Sequence, residues 1–364
     1  MRRSSGRFLT AIGITAAVAL LTACGGSATG ASAGSSSSGA DGSAAEDSTT
    51  TEAPLDPSAL VVYNAQHENL TQAWADAFSA ANGGVKIQLR NGSDLEMANQ
   101  LVAEGSDSPA DVFITENSPG MNVVEAAGLF DDIEPATLSQ IPTQYSPSTG
   151  KWVGVAARST VFVYNTAKLS EDQLPSSLLD LAKPEWKGRW AAAPSGADFQ
   201  AIVSALYAIE GADATEAWLK GMQNNVTAYK GNSTVMKAVN AGEIDGGVIY
   251  HYYWYGDQAK TKENSANTAL HYFGNQDPGA FVSVSGAGVL ASSTKKELAQ
   301  KFVAFIAGQT GQDIVGNTVL EYPLLDSARN PALKPLSSLG APIVDPATLN
   351  SVAVSDLMTQ VGVL

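Results

Sequence analysis

The stretch Leu60-Val61-Val62-Tyr63-Asn64-Ala65-Gln66-His67 decides the fold. Its apolar run without polar alternation reads as a short strand buried on both faces. Leu70, Trp74, Phe78 and Ala81 follow at near-helical spacing, and Asn82-Gly83-Gly84 stops them, which predicts a helix over 70–81. Further on, Val85 to Leu89 reads as a second strand. Residues 94–104 read as a helix with Leu95, Ala98, Leu101 and Val102 on one side, and Ala110 to Thr115 as a third strand. Strand and helix in strict alternation imply an α/β fold with a parallel, doubly wound sheet. The pattern returns later in the chain. Arg189 to Ala193 reads as a strand, then Pro194-Ser195-Gly196-Ala197, then a helix through Tyr207. Val226 to Lys230 and Gly246 to Tyr250 read as strands around a helix near 233–241. Two α/β units are expected, with Arg158 to Asn165 crossing between them.

Ahead of this body lies an address. Arg2, Arg3 and Arg7 precede the apolar run Phe8 to Leu21, which is too short to span a bilayer comfortably and suits a signal peptide over 1–23. It ends in Leu21-Thr22-Ala23-Cys24, which looks like a bacterial lipobox, so cleavage before Cys24 and lipidation of its sulfur are expected. Residues 24–58 are rich in Gly, Ser, Ala and Thr and poor in large apolar side chains, so they read as a flexible linker. The expected location is the outer face of the cytoplasmic membrane, lipid-anchored.

Composition bounds the rest. A chain of 364 residues with 44% hydrophobic content supports two cores and excludes global disorder. A formal charge of −15 lacks the basic footprint that nucleic acid requires. The single Cys allows no internal disulfide.

In doubly wound sheets, ligands sit beyond the carboxyl ends of the strands. There lie Gln66 and His67, Glu116, the Ser195-Gly196-Ala197 turn, and His251, Tyr252 and Tyr253. Neighbouring residues in a strand face opposite ways, so both tyrosines reach one point only if the chain turns into a helix there. Paired phenols suit a hard trivalent metal, since a bound cation can deprotonate a group whose ordinary pKa is about 10. Two phenolates and the Glu116 carboxylate match the charge of Fe³⁺, and His67 adds a neutral nitrogen. A soft copper(I) site would need a free thiolate or thioether set. Alternatively, Tyr250 to Tyr255 form an aromatic cluster for packing or for stacking on a sugar. Ser195-Gly196-Ala197 offers helix-start N–H groups to an anion, with Asn232-Ser233 as further donors, or is an ordinary helix cap.

Several ordered motifs resemble the ferric-ion-binding solute-binding proteins of bacterial iron(III) ABC importers. They include Val62 to His67, Pro109 to Phe113 leading to Thr115-Glu116, Tyr252-Tyr253-Trp254-Tyr255, Gln276 to Ala280, Ser285-Gly286-Ala287 and Glu321-Tyr322-Pro323-Leu324. Trp186-Lys187-Gly188 and Trp218-Leu219-Lys220-Gly221 fall in order between them, so the likeness runs from about residue 60 to 325. The resemblance implies a two-lobe periplasmic-binding-protein-like clamp, each lobe a doubly wound mixed sheet flanked by helices. Residues 59–158 and 283–333 would form one lobe, and 159–282 and 334–364 the other. It implies His67 and Glu116 from one lobe and Tyr252 and Tyr253 from the other as ligands of transported Fe³⁺. It implies a synergistic anion such as phosphate or carbonate at Ser195, Gly196, Ala197 and Asn232. Asn117 stands where phosphate-binding members carry Gln, and Tyr250 where they carry Asn, so the anion could be held differently. Arg158, at the presumed crossing, is assigned either to that anion or to a structural ion pair. Metal would stabilise closure, a permease would receive the closed form, and protonation of the ligands would aid release. A monomer is expected.

Other functional classes draw on the same residues. The same fold could bind an organic solute such as a polyamine or sugar. A metal-dependent hydrolase lacks an HExxH, GxSxG or other nucleophile–base motif, so no enzyme is expected. Clustering of polar residues at strand ends argues against a purely structural lipoprotein.

Overall fold

A computed structural model describes residues 54–364; the expected signal peptide, Cys24 and all of the linker except residues 54–58 lie outside the described residues. Nine strands follow in chain order: β1 (Leu60–Asn64), β2 (Ile87–Asn91), β3 (Val112–Ile114), β4 (Val153–Asn165), β5 (Trp190–Ala192), β6 (Val226–Ala228), β7 (Gly246–Tyr250), β8 (Thr268–His271) and β9 (Val282–Val289). They are ordered β2-β1-β3-β9-β4-β7-β5-β6, with β8 also on β4. β1 runs parallel to β2 and β3, and β5 parallel to β6 and β7. β9 and β4 run antiparallel to their neighbours, so the sheet is mixed.

The crossing strand is β4. Its thirteen residues are all buried. Val153 to Ser159 pair with β9, and Thr160 to Asn165 pair with β7 or β8. Each half of the sheet has a core on both faces. Leu60 and Val62 pack with Trp74, Phe78 and Phe302, while Val61 and Tyr63 pack with Leu101, Phe113 and Trp152. Beyond the crossing, Phe162 joins Trp190, Phe199 and Trp218, while Val161 and Val163 join Val235, Val239 and Ile249. Two-sided burial accounts for the continuous apolar runs in these strands.

The helices Glu68–Ala81, Asp94–Glu104, Ala197–Glu210 and Asn232–Ala241 lie where spacing predicts them, within three residues at each end. β2 starts two residues later than predicted. Gly83 and Gly84 take up the turn with φ of 70° and 80°, and pairing of Leu60 with Ile87 sets the register. β3 is shorter than predicted, because the Asp111 carboxylate accepts the Val61 N–H (2.9 Å) at its start.

β7 is packed tightly against its surroundings. A Cβ on Gly247 would lie 2.4 Å from Val235 Cγ1 and 3.1 Å from the Ala191 carbonyl oxygen. Gly247→Val should therefore destabilise the protein by about 1–3 kcal/mol through overpacking, seen as a lower urea midpoint at unchanged m-value.

Candidate metal centre

Four strand ends deliver the site. β1 leads to Gln66 and His67, β3 to Glu116 and Asn117, β5 to the Ser195-Gly196-Ala197 turn and Asp198, and β7 to the tyrosine pair. The chain leaves β7 at Tyr250 and enters the helix His251–Gln258 at once. Successive helical residues point about 100° apart, so Tyr252 and Tyr253 face the same region, their rings stacked at 4.3 Å.

His67, Glu116 and Tyr252 meet directly. Tyr252 OH donates to Glu116 Oε1 at 3.0 Å. His67 Nδ1 lies 3.8 Å from the same oxygen, and its ring sits edge-on to Tyr252 at 5.1 Å. The structure thus brings the four predicted metal residues together. A pocket of ≈ 300 Å³ lined by Gln66, His67, Glu68, Asn91, Gly92 and Glu116 opens beside them. A larger cavity of ≈ 740 Å³, between Tyr145, Val284 and the 340–346 segment, has Asp345 as its only charged lining residue among the described residues and gathers no ligand set from them.

Two of the predicted anion residues, Asn117 and Asn232, converge on a side chain that sequence reasoning missed. Asp198, buried in the first turn of the helix Ala197–Glu210, accepts from Asn117 Nδ2 (3.0 Å), Asn232 Nδ2 (2.8 Å) and Tyr253 OH (3.2 Å). A carboxylate here is favoured by the helix dipole. Gly196 is the helix cap residue, whereas Ser195 is exposed and its carbonyl accepts from Gln200. Asn117 also donates to Asp94 (3.2 Å) and accepts from Ser283 (2.8 Å). Arg158 goes to an ion pair: Nη2 donates to Glu321 Oε1 (3.0 Å) and Gln66 Oε1 (3.0 Å), and Nε lies 3.5 Å from Glu116. Glu321 is the second missed residue; its carboxylate lies within the His67–Glu116 cluster.

The aromatic run is packed inward at its start. Tyr250 is fully buried, with its OH on Asn117 and the Asp198 carbonyl. His251 is also buried, accepts the Ser159 N–H at 3.1 Å and stacks on Tyr322 at 4.4 Å. His271 lies away from this cluster, with its Nε2 2.9 Å from the Pro175 carbonyl.

Electrostatically the cleft is crowded with acids. Burial, then the Glu116 charge, pushes Asp94 up to about 8 and Asp198 up to about 7. Burial and the Asp198 and Glu116 charges hold Tyr252 and Tyr253 well above the ordinary phenol value. Glu321 resists burial: Arg158 and His67 hold it down at about 2. Burial works against the His67 imidazolium, but the Glu321 hydrogen bond and charge leave its pKa raised. Burial drives His251 down to about 3, so it is neutral. A trivalent cation would relieve this surplus of negative groups.

Comparison with known proteins adds the family. Residues 107–344 match the model of the Bacterial extracellular solute-binding protein family. The chain belongs to that family. It is 62% identical over 307 residues to the Fe(3+)-binding periplasmic protein of Serratia marcescens, covering 84% of this chain and 90% of that relative. It is 39% identical over 296 residues to the major ferric iron-binding protein of Neisseria meningitidis serogroup B, covering 80% and 88%. The crystal structure of iron-bound HitA from Pseudomonas aeruginosa superposes with a TM-score of 0.78 at 40% identity, covering 84% of this chain and 99% of that one. The fold of this family member is accordingly the two-lobe, periplasmic-binding-protein-like clamp.

Asp94 gives a pH test. Its carboxylate accepts the backbone N–H of Glu116 (2.7 Å) and Asn117 (3.1 Å). Folded, it holds its proton up to about 8, against about 4 in an unfolded chain. The native state therefore binds more protons than the unfolded state between those values, and stability falls as pH rises through that window. Asp94→Asn should flatten this fall in urea midpoints of the metal-free protein between pH 4 and 8.5; an unchanged slope would refute the assignment.

Proposed function

We propose that the protein captures ferric iron outside the cytoplasmic membrane and delivers it to an ABC permease, with His67, Glu116, Tyr252 and Tyr253 as ligands. The observation that carries this reading is the meeting of three of them, from positions far apart in the chain, at one carboxylate oxygen, with the fourth stacked against Tyr252. The names of the relatives point the same way.

The chemistry follows from the donor set. Two phenolates and a carboxylate neutralise Fe³⁺, and an imidazole completes a mixed oxygen and nitrogen shell. The lobes are assigned as 59–158 with 283–333, and 159–282 with 334–364. His67 and Glu116 then belong to one lobe and the tyrosines to the other, so bound iron favours the closed clamp by differential affinity. The closed form is the one a permease would recognise. No bond in the cargo is made or broken beyond its coordination, so no enzymatic step is invoked. A lipid on Cys24 and the linker would tether a monomeric body to the outer face of the membrane.

Asp198 changes the reading of the anion. It already presents a carboxylate to Tyr253, Asn117 and Asn232 at the helix start where phosphate or carbonate was expected. We assign that place to Asp198, which makes a free synergistic anion dispensable.

Two measurements test this. Ferric iron added as ferric nitrilotriacetate should give a visible tyrosinate-to-iron absorption band, weakened in Tyr252→Phe and in Tyr253→Phe; a protein that stays colourless and iron-free sinks the proposal. Wild-type affinity should not change when phosphate and bicarbonate are removed, whereas Asp198→Ala should bind weakly and gain affinity from added phosphate. Anion dependence of the wild type would instead restore a free anion to the site.

A further inference from the structure

One carboxylate in the cluster is left out of the proposed ligand set. A ligand oxygen of Glu321 lies within 4.8 Å of ligand atoms of His67 and Glu116, and the residue is fully buried. Both its oxygens are engaged. Oε1 faces Arg158 Nη2 and His67 Nδ1, each at 3.0 Å; Oε2 accepts from Arg158 Nη2 (3.1 Å) and Gln66 Nε2 (3.3 Å).

The same His67 nitrogen lies 2.7 Å from Gln66 Oε1. The Gln66 amide has its orientation set from both sides. Its oxygen accepts from the His67 backbone N–H (2.7 Å) and Arg158 (3.0 Å), and its nitrogen donates to Ser285 Oγ (2.8 Å). Nδ1 therefore faces two acceptors and must carry hydrogen. Among the described residues Nε2 has no hydrogen-bond partner. A neutral imidazole has one N–H, so its remaining lone pair is on Nε2. The chain reaches Glu321 through Leu320, held at φ 56°, and Tyr322 pairs with Ala157 of β4. A branched residue in the left-handed region is an outlier that the surroundings must enforce.

We propose that Glu321, with Gln66, is a positioning residue that locks His67 in its Nδ1–H tautomer and so presents Nε2 to the metal, while Arg158 keeps Glu321 itself out of the coordination shell. This rests on the ferric-ion reading above. Partners of this kind typically contribute about 10–100-fold in metal affinity.

Two experiments test it. The first is ¹⁵N NMR of the His67 ring in metal-free wild type, at a pH where the imidazole is neutral. Proton on Nδ1 is expected; proton on Nε2 overturns the proposal, whether or not the protein takes iron. The second is competition with nitrilotriacetate for ferric iron. Glu321→Leu should bind about 10–100-fold more weakly while keeping the position of its tyrosinate band, and Glu321→Gln, which still offers an amide oxygen to Nδ1–H, should recover most of the loss. Wild-type affinity in Glu321→Leu refutes positioning. A shifted band and equal losses in both variants would make Glu321 a direct ligand and also refute it. A wild type that takes no iron fails the ferric reading alone, because the tautomer is read without metal.

Discussion

The site depends on one buried cation set among four carboxylates. Arg158 projects from the crossing strand β4 and is fully buried with Glu321, beside Glu116, while Asp94 and Asp198 lie in the same cleft. Two charges taken out of water are tolerable only when closely paired and hydrogen-bonded, which describes Arg158 with Glu321. Asp94 and Asp198 are held by uncharged donors instead. Asp94 and Asp198 are each pushed up by burial and by Glu116. The cleft is short of positive charge by design of its residues, and that deficit is what a small, highly charged ion would fill. Net acidity of the whole chain attracts cations in general; the local deficit is what distinguishes a trivalent one.

Much of the scaffold was legible because burial leaves a pattern in the sequence. Strands covered on both faces carry unbroken apolar runs, and Leu60 to Tyr63 and Gly246 to Tyr250 were placed from such runs. β9 was not, because Val282 to Val289 is interrupted by Ser283, Ser285, Gly286 and Gly288. The glycines have a packing cause that only the folded chain reveals. A Cβ on Gly286 would lie 2.7 Å from the Trp152 ring, and one on Gly288 2.5 Å from the Phe130 ring. The adjacent tyrosines were legible as a pair because their chemistry is unusual side by side.

Asp198 and Glu321 were illegible for a different reason. An acid in the first turn of a helix is ordinary, so Asp198 carried no local signal. Its meaning arises from Asn117, Asn232 and Tyr253, which are 81, 34 and 55 residues away. Glu321 belonged to a recognisable motif but had no assigned role, since His67, Gln66 and Arg158 reach it from the opposite end of the chain and from the crossing strand. Residues that act on ligands, rather than as ligands, have no spacing rule to betray them.

The hydrogen bonds within the cleft also say why closure and metal choice are linked. Tyr252 shares a proton with Glu116, and Tyr253 shares one with Asp198. Each pair joins the tyrosine helix to a different strand end, and each holds two oxygens in contact through a single hydrogen. In the proposed site a hard cation would take the place of both protons and draw Tyr252, Tyr253 and Glu116 to one centre, with Asp198 beside Tyr253. A divalent ion would leave more of the negative charge uncompensated, and a soft one would gain little from oxygen donors. Exchanging protons for metal would tighten the Tyr252–Glu116 contact, which crosses between the proposed lobes, and would favour Fe³⁺, so selecting the cargo and shutting the clamp would become a single electrostatic requirement.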